Sequence, residues 1–141
     1  MNMNPYLNFN DQCEAAFTFY AKVLGGKIDG LLRNGDSPMR NDVPKERHHL
    51  VMHAQLSFGT QIMMGADMPP DCFKQGTGGG SIALTLNYDT PEEAERTFAA
   101  LAEDGTITMP IGPTFWAQRF GALSDKFGTP WLINGGFLPM E

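Results

Sequence analysis

Apolar residues recur along this chain at two spacings, and each switch between them marks the end of an element. Alternation of apolar and polar residues predicts strands over residues 5–9, 27–33, 50–58 and 61–65, and again over 81–88, 106–111, 116–123 and 131–135. A helical spacing predicts helices over 12–24 and 91–104, with Ala15, Phe19 and Val23 on the apolar face of the first. Ala94, Phe98 and Leu101 form that of the second. Asp11 with Glu14, and Thr90 with Glu93, have the spacing of a capping box, and Pro91 stands at the favoured first helical position. Gly25 and Gly26 stop the first helix and Gly105 the second, where glycine takes the left-handed conformation that closes a helix.

Alternation also assigns faces. In the third strand Met52, Ala54, Leu56 and Phe58 should pack under a helix, leaving Val51, His53, Gln55 and Ser57 opposite. Pro5, Leu7 and Phe9 of the first strand belong under the helix, with Asn4, Tyr6 and Asn8 away from it. In the fifth, Ile82, Leu84, Leu86 and Tyr88 face the helix, and Ser81, Ala83, Thr85 and Asn87 do not. The face away from the helices is polar yet uncharged, which suits the lining of a cleft.

Sliding the chain against itself by 79 positions brings two similar segments together. Leu7 falls on Leu86, Asn8 on Asn87, Glu14 on Glu93, Ala15 on Ala94 and Phe19 on Phe98. Each half reads strand, helix, then three strands. The expected fold is therefore α+β: two tandem β-α-β-β-β modules, residues 1–66 and 80–141, joined by a Pro- and Gly-rich linker at 67–79. Together they should make a cupped mixed sheet around a cleft, with the helices on its convex side. Residues 35–47 form a long polar loop, the segment expected to move most.

At 141 residues, 42% hydrophobic and 18% charged, the chain is globular and reads as a single domain. A net charge of −6 without a Lys/Arg cluster argues against nucleic acid as a partner. No apolar run reaches the roughly 18 residues of a membrane span, and the first ten residues lack the pattern of a signal peptide. Cys13 and Cys72 have no paired spacing and read as free thiols of a reducing compartment, which places the protein in the cytoplasm.

The chain resembles the vicinal oxygen chelate superfamily, which includes glyoxalase I, extradiol dioxygenases and bleomycin-resistance proteins. Phe19-Tyr20 with Val23-Leu24-Gly25 is similar to its first-helix signature, and Ser81-Ile82-Ala83-Leu84 to its fifth strand. The run from Phe115-Trp116-Ala117 through Phe120-Gly121, Asp125-Lys126-Phe127-Gly128, Pro130-Trp131 and Ile133-Asn134 is similar to the PhnB-like branch. Some members of that branch carry a methyltransferase name. Gly76-Thr77-Gly78-Gly79-Gly80 precedes a strand rather than a helix, however, and reads as linker.

In metal-using members of the superfamily, two His and two Glu from strands one, four, five and eight hold a divalent cation. The resemblance places those positions at about Asn4, Met63, Ser81 and Leu132. A thioether and a leucine cannot replace such donors, so neither metal nor cofactor is expected. Nor do the histidines offer a substitute. On a strand His49 and His53 would lie roughly 13 Å apart, and His48 and His53 would point to opposite faces.

Alternation sets Tyr6, His53, Gln55, Trp116 and Phe120 toward the cleft, and the resemblance adds Met63, Ser81 and Leu132 to its lining. His53 is the candidate catalytic residue. Alternation sets Trp116, Gln118 and Phe120 on one face and Arg119 on the other. The expected function is the binding of a small organic molecule. The alternative is a lyase, isomerase or dioxygenase, metal-free with His53 as base or with a relocated metal site. A homodimer is expected from the resemblance alone.

Overall fold

The computed structural model describes residues 1–69 and 82–139. The chain divides into two compact units, residues 1–74 and 75–141. In the first, β1 (Tyr6–Phe9), α1 (Cys13–Leu24), β2 (Lys27–Arg33), β3 (Val51–Phe58) and β4 (Gln61–Asp67) follow one another. In the second the order repeats as β5 (Leu84–Tyr88), α2 (Pro91–Ala102), β6 (Thr106–Gly112), β7 (Ala117–Ser124) and β8 (Pro130–Phe137). The sheets run β1-β4-β3-β2 and β5-β8-β7-β6, each mixed, with the first strand parallel to the last and the other pairs antiparallel. These are the two β-α-β-β-β modules expected, each with its helix on one face of its own sheet.

The core of the first module lies between α1 and its sheet. Phe17, Tyr20, Leu56 and Met63 are fully or almost fully buried there, and groups of that size contribute roughly 1.5–3 kcal/mol each on leaving water. Gly65 admits the Phe17 ring, since a Cβ there would sit 2.9 Å from its edge. In the second module Phe98 lies over Gly121 and Ala94 over Gly135 in the same manner.

The helix faces differ from those expected. α1 buries Cys13, Ala16, Phe17 and Tyr20, while Ala15 is exposed and Phe19 and Val23 are only half-buried. α2 buries Ala94, Thr97, Phe98 and Leu101. The two buried sets match at a step of 81 (13 to 94, 16 to 97, 17 to 98, 20 to 101), so the 79-residue step does not carry through the helices. Apolar residues occupy several sides of α1, and periodicity alone cannot choose among them.

The helix ends also divide. Thr90 caps α2, its Oγ1 accepting the Glu93 N–H at 3.3 Å and donating to the Glu93 carboxylate at 2.8 Å. Asp11 caps nothing; it sits at a left-handed φ of 60° and faces His49 at 3.2 Å. The start of α1 is instead held by Asp67, at the end of β4. Its Oδ1 accepts the Cys13 N–H and its Oδ2 the Val51 N–H, both at 2.9 Å. At the other ends, Gly25 takes the left-handed turn at φ 68°, but after α2 it is Asp104 that does so, not Gly105. Gly105 is needed instead for its close approach to the Ser124 carbonyl.

Burial, then the nearby charges of Asp67 and Glu14, push the Cys13 thiol up to about 12. The folded chain thus keeps a proton that the unfolded chain releases from about pH 9 upward. This contribution to stability is complete below the ordinary thiol range and is lost as pH rises toward 12. Urea unfolding from pH 8 to 11 should therefore fall more steeply for the parent than for Cys13→Ala. Parallel profiles would show that the buried thiol carries no such linkage.

Candidate functional site

In the first module the face away from α1 is built by register. Gln55 pairs with Met64 and Met64 with Tyr6, which sets the three in a row across β3, β4 and β1. His53 joins them two residues along β3. Its ring centroid is 5.9 Å from that of Tyr6, and Tyr6 Oη lies 3.4 Å from His53 Nδ1, at the long end of hydrogen-bonding distance. Burial, with Cys13 adding, pushes the Tyr6 hydroxyl above the ordinary phenol range. It stays protonated although nearly half of the residue is open to solvent.

Met63 is not on this face. It pairs with Leu56, which is buried beneath α1, and partners across a ladder share a side of the sheet. At 2% exposure Met63 is core, and Met64 holds the open position. A second correction concerns the start of β3. The register with β2 slips so that Leu32 faces His53 and Arg33 faces Val51, leaving Met52 as the extra residue of a bulge. Val51, expected on the open face, is fully buried, and Met52, expected under the helix, lines a cavity.

That cavity, of about 430 Å³, lies wholly within the first module. Tyr6, Asn8, Met52 and Ala66 belong to its strand side, and Val43 and Pro44 to the segment that joins β2 to β3. This segment, expected to be a mobile loop, winds through single-turn helices at Asn34–Asp36, Arg40–Asp42 and Lys45–Arg47. His48 Nε2 reaches the carbonyls of Arg40 and Val43 at 3.0 and 2.9 Å, and Asn34 Nδ2 donates to the Arg47 carbonyl at 3.0 Å. Nothing in the hydrophobic pattern marks the cavity; its signal is the bulge and these loop contacts.

In the second module Trp116, Phe120 and Leu132 share the face away from α2. Trp131 and Ile133 are buried toward the helix, so the pleat turns Leu132 and Asn134 the other way. Trp116 Nε1 donates to Asn134 Oδ1, and Asn134 Nδ2 to Asn87 Oδ1, both at 3.0 Å. The Trp116 ring stands 5.2 Å from that of Phe120 and 4.8 Å from that of Phe115, which is 80% exposed. Arg119 lies on the helix side, paired with Glu95 at 2.6 Å. Ser81 lies outside the described residues.

These residues do not fit the superfamily's divalent metal. Met63 is sealed in the core and Leu132 has no donor atom. The three histidines are spent separately, His48 on loop carbonyls, His49 on Asp11 and His53 on Tyr6. Among the described residues no three His, Cys, Asp or Glu side chains converge on one point. No helix among them is long and apolar enough to cross a membrane.

The sequence pattern of the Glyoxalase/Bleomycin resistance protein/Dioxygenase superfamily matches residues 3–133. The chain is 34% identical over 143 residues to protein YjdN of Escherichia coli K12, covering 95% of each. Its structure is similar to that of protein PA1353 from Pseudomonas aeruginosa, with a TM-score of 0.86 and 41% identity, over 96% of this chain and 97% of that one. It is also similar to a PhnB protein from Bacillus cereus, with a TM-score of 0.79 and 26% identity over 96% and 99% of the two chains.

Proposed function

The chain belongs to the glyoxalase, bleomycin-resistance and dioxygenase superfamily, and we propose that it is a PhnB-like member that binds a small organic molecule without a divalent metal. One observation carries this reading: the row of Tyr6, Met64 and Gln55, joined by His53, on the open face of the first module. It offers ring surface, a thioether, an amide and an imidazole, the mixture of apolar area and few polar anchors that small-molecule sites use. Trp116, Phe120 and Leu132, on the open face of the second module, are proposed as ligand contacts within that module. The proposal extends to a cytoplasmic homodimer, and light scattering of the purified chain checks its dimeric state.

A melting screen of small organic compounds in the presence of EDTA tests the proposal. Compounds that raise the midpoint should do so equally with and without chelator. His53→Ala should leave the melting point of the free protein within a degree or two, since no core volume is lost. It should weaken the hits by about 1–3 kcal/mol, the value of one hydrogen bond to a polar or charged group. A variant that melts several degrees early yet binds as before makes His53 a structural side chain. A screen without any hit removes the binding reading.

The Tyr6–His53 contact favours a second reading. In the tautomer whose Nδ1–H donates to Tyr6 Oη, the Nε2 lone pair is left to meet a ligand, and His53 would act as a metal-free base. Conversion of a hit on prolonged incubation, abolished in His53→Ala, would make the protein an enzyme rather than a binder.

A further inference from the structure

The cavity beside the Tyr6–His53 row has a chemistry of its own, and it points to a class of ligand. We propose that it takes a flat aromatic molecule of about two fused rings, neutral or singly positive, seated against the Met52 and Met68 thioethers. The inference rests on the binding reading above and narrows it.

Three observations carry it. The first is size and preparation. A volume of about 430 Å³ falls in the range of small-molecule sites, and the 34–48 segment on one side of it is fixed by the His48 and Asn34 bonds, so little ordering is needed on binding. The second is the lining. Leu50, Ala66, Val43 and Pro44 are apolar, and Met52 and Met68 add polarisable sulfur, which has a specific attraction for aromatic rings. The bulge that turns Met52 to this side contributes one of those two methionines.

The third is charge. The charged residues of the lining are Asp42 and Asp67, both acidic, and Arg47. Both Asp67 oxygens already accept backbone N–H groups, so this carboxylate asks for no further partner but keeps its field. An anionic ligand would lose water on entering a lining that is net negative by one, in a chain of net charge −6. A neutral or cationic ring meets no such penalty. Asn8, and the Tyr6 hydroxyl through the hydrogen-bonding capacity its contact with His53 does not use, would bond an alcohol or amine on its edge.

The test uses naphthalenemethanol, naphthylmethylamine and naphthoate, which share a ring system and differ in charge, with methionine methyl groups isotope-labelled for NMR. The alcohol and the amine should produce saturable ring-current shifts at Met52 and Met68, and naphthoate should bind about tenfold more weakly or worse. The buried Met63 and the exposed Met1, Met3, Met39 and Met109 should stay in place. Silent Met52 and Met68 signals, or equal shifts at the exposed methionines, overturn the site; equal binding of naphthoate overturns the charge preference. Repeating the titration with His53→Ala separates the two proposals. Unchanged shifts at Met52 and Met68 leave the cavity standing and remove His53 from the site. Shifts confined to Met64 and lost in the variant do the reverse.

Discussion

Asp125→Ala should destabilise the second module by about 4 kcal/mol, among the larger losses a single side chain can cause. Asp125 is buried in the turn between β7 and β8. Its Oδ1 accepts the N–H groups of Phe127 and Thr129 at 2.9 and 3.0 Å, and its Oδ2 accepts the indole N–H of Trp131 at 2.8 Å. Alanine would remove these bonds to a charged acceptor, among them the one made by the indole of Trp131, a residue only 1% exposed. An unsatisfied buried donor costs more than a bond merely not made. The turn also holds one bond that the substitution leaves in place, because Gly128, at a φ of 90°, donates its N–H to the Asp125 backbone carbonyl.

The chain's two tryptophans, Trp116 and Trp131, both lie in this module, so their fluorescence reports its unfolding directly. The urea midpoint of Asp125→Ala should fall far below that of the parent, with Asp125→Asn between the two because an amide oxygen still accepts. A midpoint indistinguishable from the parent's would mean that the carboxylate is replaceable by water, and that the turn is held by backbone bonds alone.

The strands were legible where apolar and polar residues alternate, as they do along β5. β2 and the start of β4 fall where alternation puts them, and the polar row of Tyr6 and Gln55 follows from the same pleat. Alternation failed at one place on β3. A bulge resets the count, and no residue type in Val51-Met52-His53 announces it, so the strand looked regular while its first two side chains had changed sides. Met63 failed for a different reason. Its place came from resemblance to a metal-ligand position, and the local ladder with Leu56 turns it into the core instead. The first helix misled because Ala15, Phe19 and Val23 are as apolar as the side that is buried. Sequence spacing ranks faces only when one of them is polar. The second helix, with charges on its outer side, was read correctly at Ala94, Phe98 and Leu101.

Asp67 is the residue that sequence reasoning most undervalued, and it should be the other large loss. It reads as the first residue of a linker, yet it closes β4 and ties together elements distant in the chain. One oxygen holds the first N–H of α1 and the other the first N–H of β3, 54 and 16 positions away. A carboxylate at a helix start also meets the positive end of the helix dipole. Asp67→Ala should cost the first module about 3 kcal/mol, the sum of two charged-acceptor bonds less what water recovers at a half-buried site. Cys13 supplies the readout. It is the first residue of α1, fully buried, and its thiol is held up partly by the Asp67 charge.

In a Cys72→Ser background, which leaves a single thiol, the parent should resist alkylation near pH 8. Asp67→Ala should label at least about tenfold faster, because the helix start opens and the thiol loses a negative neighbour. Asp67→Asn separates those causes. It removes the charge but keeps one acceptor, so it should label only slightly faster and keep most of the stability. Labelling of Asp67→Ala at the parent rate would show that α1 stays docked through Phe17 and Tyr20 alone. The carboxylate would then be a bystander to a helix already fixed by its core.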